Sequence, residues 1–291
     1  MTTTGKKSQP KRATQKKRIS GPRKTTGIFK KPWKVILSLL LLLLLFSPFY
    51  YGYVLKTTLA AWSWVRGIKG NTHYHVYKNF NIRIPDKYPI HGIDVSSYQG
   101  WINWQKVKKM HQDSIHISFA FIKATEGVLI ADPLFQRNWV ECKKAGITRG
   151  AYHYFRPRFS GKWQAKFFLQ NFKSLKGDLP VVVDVEELDR QPPEKMRTEL
   201  TAFLDEVTLK TKVKPIIYSG LKFYEDNLAG YYSGYNLWLS NFNHPELAVI
   251  PATNWKFWQH SDKAKVNGIP HTVDFDAFRG DSLQFRQLLI Q

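Results

Sequence analysis

The segment Pro-Val-Val-Val-Asp-Val-Glu-Glu at positions 180–187 sets two carboxylates, Asp184 and Glu186, two residues apart at the end of a valine run. Such runs form buried strands, and side chains two apart on a strand share a face. Both acids therefore point into one cleft. Like charges held close push one pKa up, leaving a protonated acid beside an ionised carboxylate. That pair is the equipment for cutting a glycosidic bond. Acidic pairs also occur in solvated turns, and D-x-E alone is a weak pattern; its place after an apolar strand favours chemistry. Glu187 faces the other way in this register and reads as a structural or ion-pairing residue.

In a βα barrel the active groups sit at the C-terminal ends of the strands, and other acids fall there. GIDVS places Asp94, IKATEG places Lys123 and Glu126, and VDFD places Asp274 and Asp276. AYHYF adds Tyr152, His153 and Tyr154, and WQH adds Trp258, Gln259 and His260. Glu186, Asp184, Asp94 and Asp274 form the candidate catalytic set. Tyr152, Tyr218, Trp238, Trp258 and Glu126 are the candidate substrate contacts. Aromatic faces stack on sugars but also fill cores, so one or two of the four aromatics are expected to line the cleft. Glu126 also fits a turn or an ion pair with Lys123, and Asp94 also fits a helix cap. His153 reads as a core histidine, while Asn103 and Asp132 read as helix caps.

These groups need a scaffold, and the alternation of patterns supplies one. Strands are expected at 91–95, 115–123, 150–155, 179–185, 214–219, 236–240, 254–259 and 272–275. Helices are expected at 104–111, 133–145, 162–175, 193–212 and 221–228. Repeated βα units imply a parallel sheet. Eight strands in about 200 residues imply closure. The fold class is α/β, an irregular TIM-like barrel of eight strands with about five helices.

The chain has 291 residues and a net charge of +22, from 44 Lys+Arg against 22 Asp+Glu. Twelve of the basic residues and none of the acidic ones lie in 1–34, which leaves 32 against 22 in the remainder. Residues 1–34 are too polar to offset their ordering entropy and read as a disordered cytoplasmic tail. Residues 35–55 carry no charge and include seven consecutive leucines. They suit a transmembrane signal anchor of about 30 Å, flanked by Trp33 and by Phe49, Tyr50, Tyr51 and Tyr53. The basic tail orients the N-terminus to the cytoplasm and the remaining chain to the periplasm or exterior. A cleaved signal peptide is the alternative. Residues 56–89 read as a juxtamembrane linker and 90–291 as the catalytic barrel. With a membrane segment next to it, the basic tail is not read as a nucleic-acid arm. One cysteine, Cys142, excludes an intrachain disulfide. No C-x-x-C or H-E-x-x-H pattern calls for a metal, and no cofactor is implied.

The segments HGIDVSSYQGWINW (91–104), FAFIKATEG (119–127), GAYHYF (150–155), PVVVDVEE (180–187), PIIYSG (215–220), LWLSNF (237–242), WKFWQHS (255–261) and VDFDAF (273–278) occur in an order and spacing that resembles the glycoside hydrolase family 25 lysozymes, of the Chalaropsis or cellosyl type. The resemblance covers about residues 90–288. It implies a barrel of eight strands with about five helices, and β-1,4 cleavage between N-acetylmuramic acid and N-acetylglucosamine of peptidoglycan by a monomer. Glu186 matches the proton donor, Asp184 its catalytic neighbour, and Asp94 and Asp274 the other cleft acids. WQH stands where WQY is more usual, SNF where A-x-Y is common, and Asp276 where Asn is frequent. A silent glycan-binding module that tethers the envelope, or a chitinase-like hydrolase, are the alternatives; retention of all four acids argues against the first.

Overall fold

The computed structural model describes Thr2 and residues 32–45, 74–242, 244–247 and 253–291. The chain divides into two compact units, Met1–Arg66 and Gly67–Gln291. In the first, α1 (Pro32–Leu45) holds the leucine run. Its 14 residues rise about 21 Å, short of the roughly 30 Å of a hydrocarbon core. No described helix is long and apolar enough to cross a membrane. Positions 46–55 of the expected span, most of the basic tail and 56–73 lie outside the described residues.

The second unit is a closed barrel. Its strands are β3 (Ile90–Val95), β5 (Ile115–Glu126), β7 (Thr148–Tyr154), β8 (Val182–Asp184), β9 (Ile216–Gly220), β10 (Asn236–Ser240), β11 (Trp255–Ala264) and β12 (Val273–Phe278). Each pairs with the next, from β3 with β5 onward, and β12 pairs with β3 to close the ring. All eight expected strands are present. One direction differs from the parallel expectation: β12 runs antiparallel to both β11 and β3. Only a short loop separates β11 from β12, too little chain for a crossover helix. The short β4 (His111–Gln112) and β6 (Ile130–Ala131) extend β5 at its two ends.

The jacket comprises α2 (Trp104–Lys109), α3 (Phe135–Lys144), α4 (Gly161–Asn171), α5 (Pro193–Thr211), α6 (Leu221–Asn227) and α7 (Ser282–Leu288). The first five are the expected helices. The sixth was not anticipated, although Asp281 and Gln284 form a capping box at its start. Asn103 caps α2 as read. Asp132 does not cap α3; it accepts the backbone N–H groups of Ser97 and Leu134.

Residues 74–89 fall in the stretch read as linker, yet they are built into the barrel unit. A hairpin of β1 (Tyr74–Tyr77) and β2 (Ile82–Pro85) buries Phe80 and Ile84 completely. Phe80 packs edge-on to Phe275 at 5.3 Å, and its carbonyl accepts the Lys265 N–H at 2.9 Å. The four-residue strands are too short to give a clear period, which hid them.

Strand alternation sorts the interior. Val181, Val183 and Val185 join the core between strands and helices, while Val182 joins a lumenal cluster with Phe119, Phe121, Trp238, Phe257 and Phe278. A Cβ at Gly92 would collide with the Phe119 ring, so only glycine leaves room for that phenyl. The lower lumen is thus filled with aromatic rings, and polar groups are left to the upper end.

Candidate active site

Above that aromatic floor lies a cavity of about 370 Å³ whose lining includes Asp94, Asp184, Glu186, Asp262 and Asp274, with Lys123 as its one cation. Asp94 sits near the end of β3, and Asp184 ends β8, with Glu186 two residues on. Asp274 reaches the same mouth from the beginning of its strand, because β12 is reversed: it pairs directly with Asp94. The four candidate catalytic carboxylates therefore line one space. Of the candidate contacts, Tyr152, Tyr218 and Trp238 line it as well.

Two candidates do not. Trp258 faces the outer core, where it packs against Tyr88 and donates its indole N–H to the Asn241 carbonyl at 3.0 Å. Its neighbour Gln259 faces the lumen instead, as a two-residue period requires. Glu126 is held away by Lys123 at 2.7 Å and by Arg156, which also pairs with Glu187. The ion-pair reading of Glu126 and Glu187 is the one the structure has. Ser96, Phe242 and Asp262 line the cavity without having been anticipated. Asp262 was hidden because β11 was expected to stop at Gln259 and runs on to Ala264 through an irregular register.

The acids are wired by named hydrogen bonds. Tyr218 donates its hydroxyl to the Gln259 side-chain carbonyl at 2.8 Å, and the Gln259 amide donates to Asp94 at 2.7 Å. Tyr218 also stands within hydrogen-bonding reach of Glu186. It has one proton, so it serves Gln259 or Glu186 but not both. Trp238 stacks at 4.5 Å on Phe121, which fixes its indole N–H toward Asp276 at 2.9 Å.

Burial raises the pKa values of Asp94, Asp184, Glu186, Asp274 and Asp276. Asp184 is pushed well up by burial and then by Glu186, with Lys123 opposing. Glu186 is exposed at the mouth by surface area, but crowding by the walls still raises its pKa, while Tyr218 and Lys123 pull it down. Asp94 is raised well above the ordinary range by burial, then by Asp274 and Asp276. Asp274 is pushed up to about 7 by burial, Asp262 and Glu186. Such a cluster holds its protons above the ordinary carboxylate range and titrates as a unit. It can donate a proton to a leaving oxygen and, once partly ionised, stabilise a cationic centre beside it.

A barrel closed by one reversed strand, with carboxylates gathered at a single mouth, is the architecture of a glycoside hydrolase. Residues 93–269 match Glycosyl hydrolases family 25, and the chain belongs to that family. It is 46% identical over 216 residues to the Uncharacterized protein YegX of Escherichia coli O6:H1 (strain CFT073), covering 73% of this chain and 79% of the relative. It is 33% identical over 215 residues to Lysozyme M1 of Streptomyces globisporus, covering 68% and 71%. The solved family 25 glycosyl hydrolase from Bacillus anthracis superposes with a TM-score of 0.66 at 29% identity, over 76% of this chain and 99% of that one.

Proposed function

We propose that the protein is a lysozyme that hydrolyses the β-1,4 bonds between N-acetylmuramic acid and N-acetylglucosamine in peptidoglycan. The observation that carries this reading is the convergence of Asp94, Asp184, Glu186 and Asp274 on one cavity in a family 25 chain. Glu186, the most solvent-exposed of the four, protonates the glycosidic oxygen. Asp184 stabilises the charge that develops at the anomeric carbon, and Asp94 and Asp274 shape the field around it. Tyr152, Tyr218 and Trp238 supply walls for the sugar. The proposal extends to action as a monomer. The eight ordered segments support the Chalaropsis or cellosyl type.

The test is end-group analysis. Purified peptidoglycan is digested with the full-length chain, reduced with borohydride and hydrolysed. New muramicitol ends are expected, with slower or no release from chitin. New glucosaminitol ends, or binding without any release, would overturn the assignment.

Residues 35–55 act in this proposal as an uncleaved anchor, with 1–34 cytoplasmic and the barrel in the periplasm or outside. The uncharged run and the one-sided basic tail support it. Protease added to spheroplasts should digest the barrel and spare the tail; a mature N-terminus near Trp62 would show cleavage and release instead.

A further inference from the structure

A second cavity, of about 620 Å³, is lined by Tyr98 and residues 265–272. It adjoins the carboxylate cavity along two chain segments. Ser96 lines one space and Tyr98 the other; Asp274 lines one and Thr272 the other. The two spaces therefore flank a common rim made by the chain leaving β3 and the chain entering β12.

Their charges are opposite. The first cavity holds five carboxylates. The second is lined by Lys265 and His271 and by no acid. Lys265 is exposed and forms no ion pair among the described residues. Tyr98 is 75% exposed and lies 6.0 Å from the His271 ring, so it offers an open aromatic face in the groove that Lys265 lines.

The wall of this groove is tied down. Asn103 donates its backbone N–H to the Gly268 carbonyl at 2.8 Å, and the Gln99 amide donates to the Thr272 carbonyl at 3.4 Å. The Asn267 N–H points at the Met110 sulfur at 3.0 Å. Gly268 has φ +96° and packs so closely that a Cβ would lie 2.5 Å from the Asn103 carbonyl. A groove ordered in advance loses little entropy on binding.

We propose that this groove binds the carboxylate-bearing peptide branch of the peptidoglycan strand and so makes the enzyme favour peptide-bearing over bare glycan. The proposal rests on the lysozyme reading, which places muramic acid, the sugar that carries the branch, at the acidic cavity. The branch is anionic, and the acidic cavity offers it a single cation, Lys123, among five carboxyl groups. The adjoining cationic groove is the favourable neighbour. Lys265 takes a branch carboxylate, and Tyr98 covers its apolar flank.

The experiment compares the full-length wild type with Lys265→Glu and Tyr98→Ala. Substrates are soluble glycan strands with intact branches, and the same strands stripped by an amidase that cuts muramic acid from its peptide. A charge-assisted contact corresponds to about tenfold in affinity or more. Wild type should favour peptide-bearing strands by at least about that factor in kcat/KM, through KM. Both substitutions should carry that ratio toward one, Lys265→Glu furthest. Equilibrium binding of the same strands in a Glu186→Gln background reads the groove without turnover, so loss of the lysozyme assignment leaves it measurable. An unchanged ratio overturns the proposal. Equal losses on both substrates also overturn it, and assign the groove to further sugars.

Discussion

Trp238 donates its indole N–H to one oxygen of Asp276 at 2.9 Å, while the other oxygen of this fully buried carboxyl has no donor to accept from. Asp94 lies within hydrogen-bonding reach of it. One proton shared by the pair lets one carboxyl donate to the other. Burial, followed by Asp274, pushes the Asp276 pKa well above its ordinary 3.8, and the contacts with Trp238 and Asp94 offset part of that rise. The folded state thus keeps a proton that the unfolded chain gives up once pH exceeds about 3.8, and stability falls as pH rises from there until the folded group ionises.

Asp276→Asn keeps both roles without a titrating proton: the amide oxygen accepts from Trp238 and the amide nitrogen donates to Asp94. The variant should melt higher than wild type at pH 8, with the difference shrinking toward pH 4, and should remain active. Thermal melts at the two pH values check this. A lower melting point at pH 8 would show that the buried acid is not a cost.

Two buried imidazoles set the opposite trend. His91 and His260 flank Phe275 at 5.7 and 5.5 Å; neither ring nitrogen of His260 has a hydrogen-bond partner, and His91 reaches only the Asp276 backbone. Burial lowers each pKa to about 3. The unfolded chain binds these protons below about 6.5 and the folded one does not, so stability is lost as pH falls from 6.5 toward 3. At pH 5 each imidazole costs about 2 kcal/mol. Urea unfolding of His260→Phe should show a shallower loss between pH 7 and 5 than wild type; equal slopes would remove His260 from this role.

Glu186→Gln preserves shape but cannot donate a carboxylic proton. Turnover on peptidoglycan should fall by about 10²–10⁴-fold, with the melting temperature near that of wild type because the side chain is exposed. Retained turnover would move the proton donor elsewhere in the cluster.

The β1–β2 hairpin is part of the barrel's core. Phe80→Ala removes a fully buried ring and should cost about 3–5 kcal/mol, read by chemical denaturation of the full-length protein. A cost under about 1 kcal/mol would show the hairpin to be dispensable.

Much of this was legible in the sequence because valine runs and D-x-E spacing report strand faces directly. The eight barrel strands and the pair Asp184 and Glu186 came from those patterns, while Asp94 and Asp274 came from their places at strand ends and from the family resemblance. What escaped had weaker local signals. The four-residue strands around Phe80 show no full period, and Asp262 depends on a register shift in β11 that no spacing rule encodes. Trp258 was misplaced by one step of alternation: Gln259 takes the inward position on that strand. The reversal of β12 follows from loop length, a signal present in the sequence but overridden by the βα pattern before it.

That reversed strand makes the seam of the barrel a junction between the two ends of the catalytic unit. Asp94 lies on its first barrel strand and Asp274, opposite it, on its last. Both walls of the cleft exist together only once β12 has docked against β3, and loop closure over so long a separation is slow. A barrel whose β12 has not docked lacks the Asp94–Asp274 pairing and leaves that side of the carboxylate cavity open. The seam thus couples the shape of the cavity to completion of the ring.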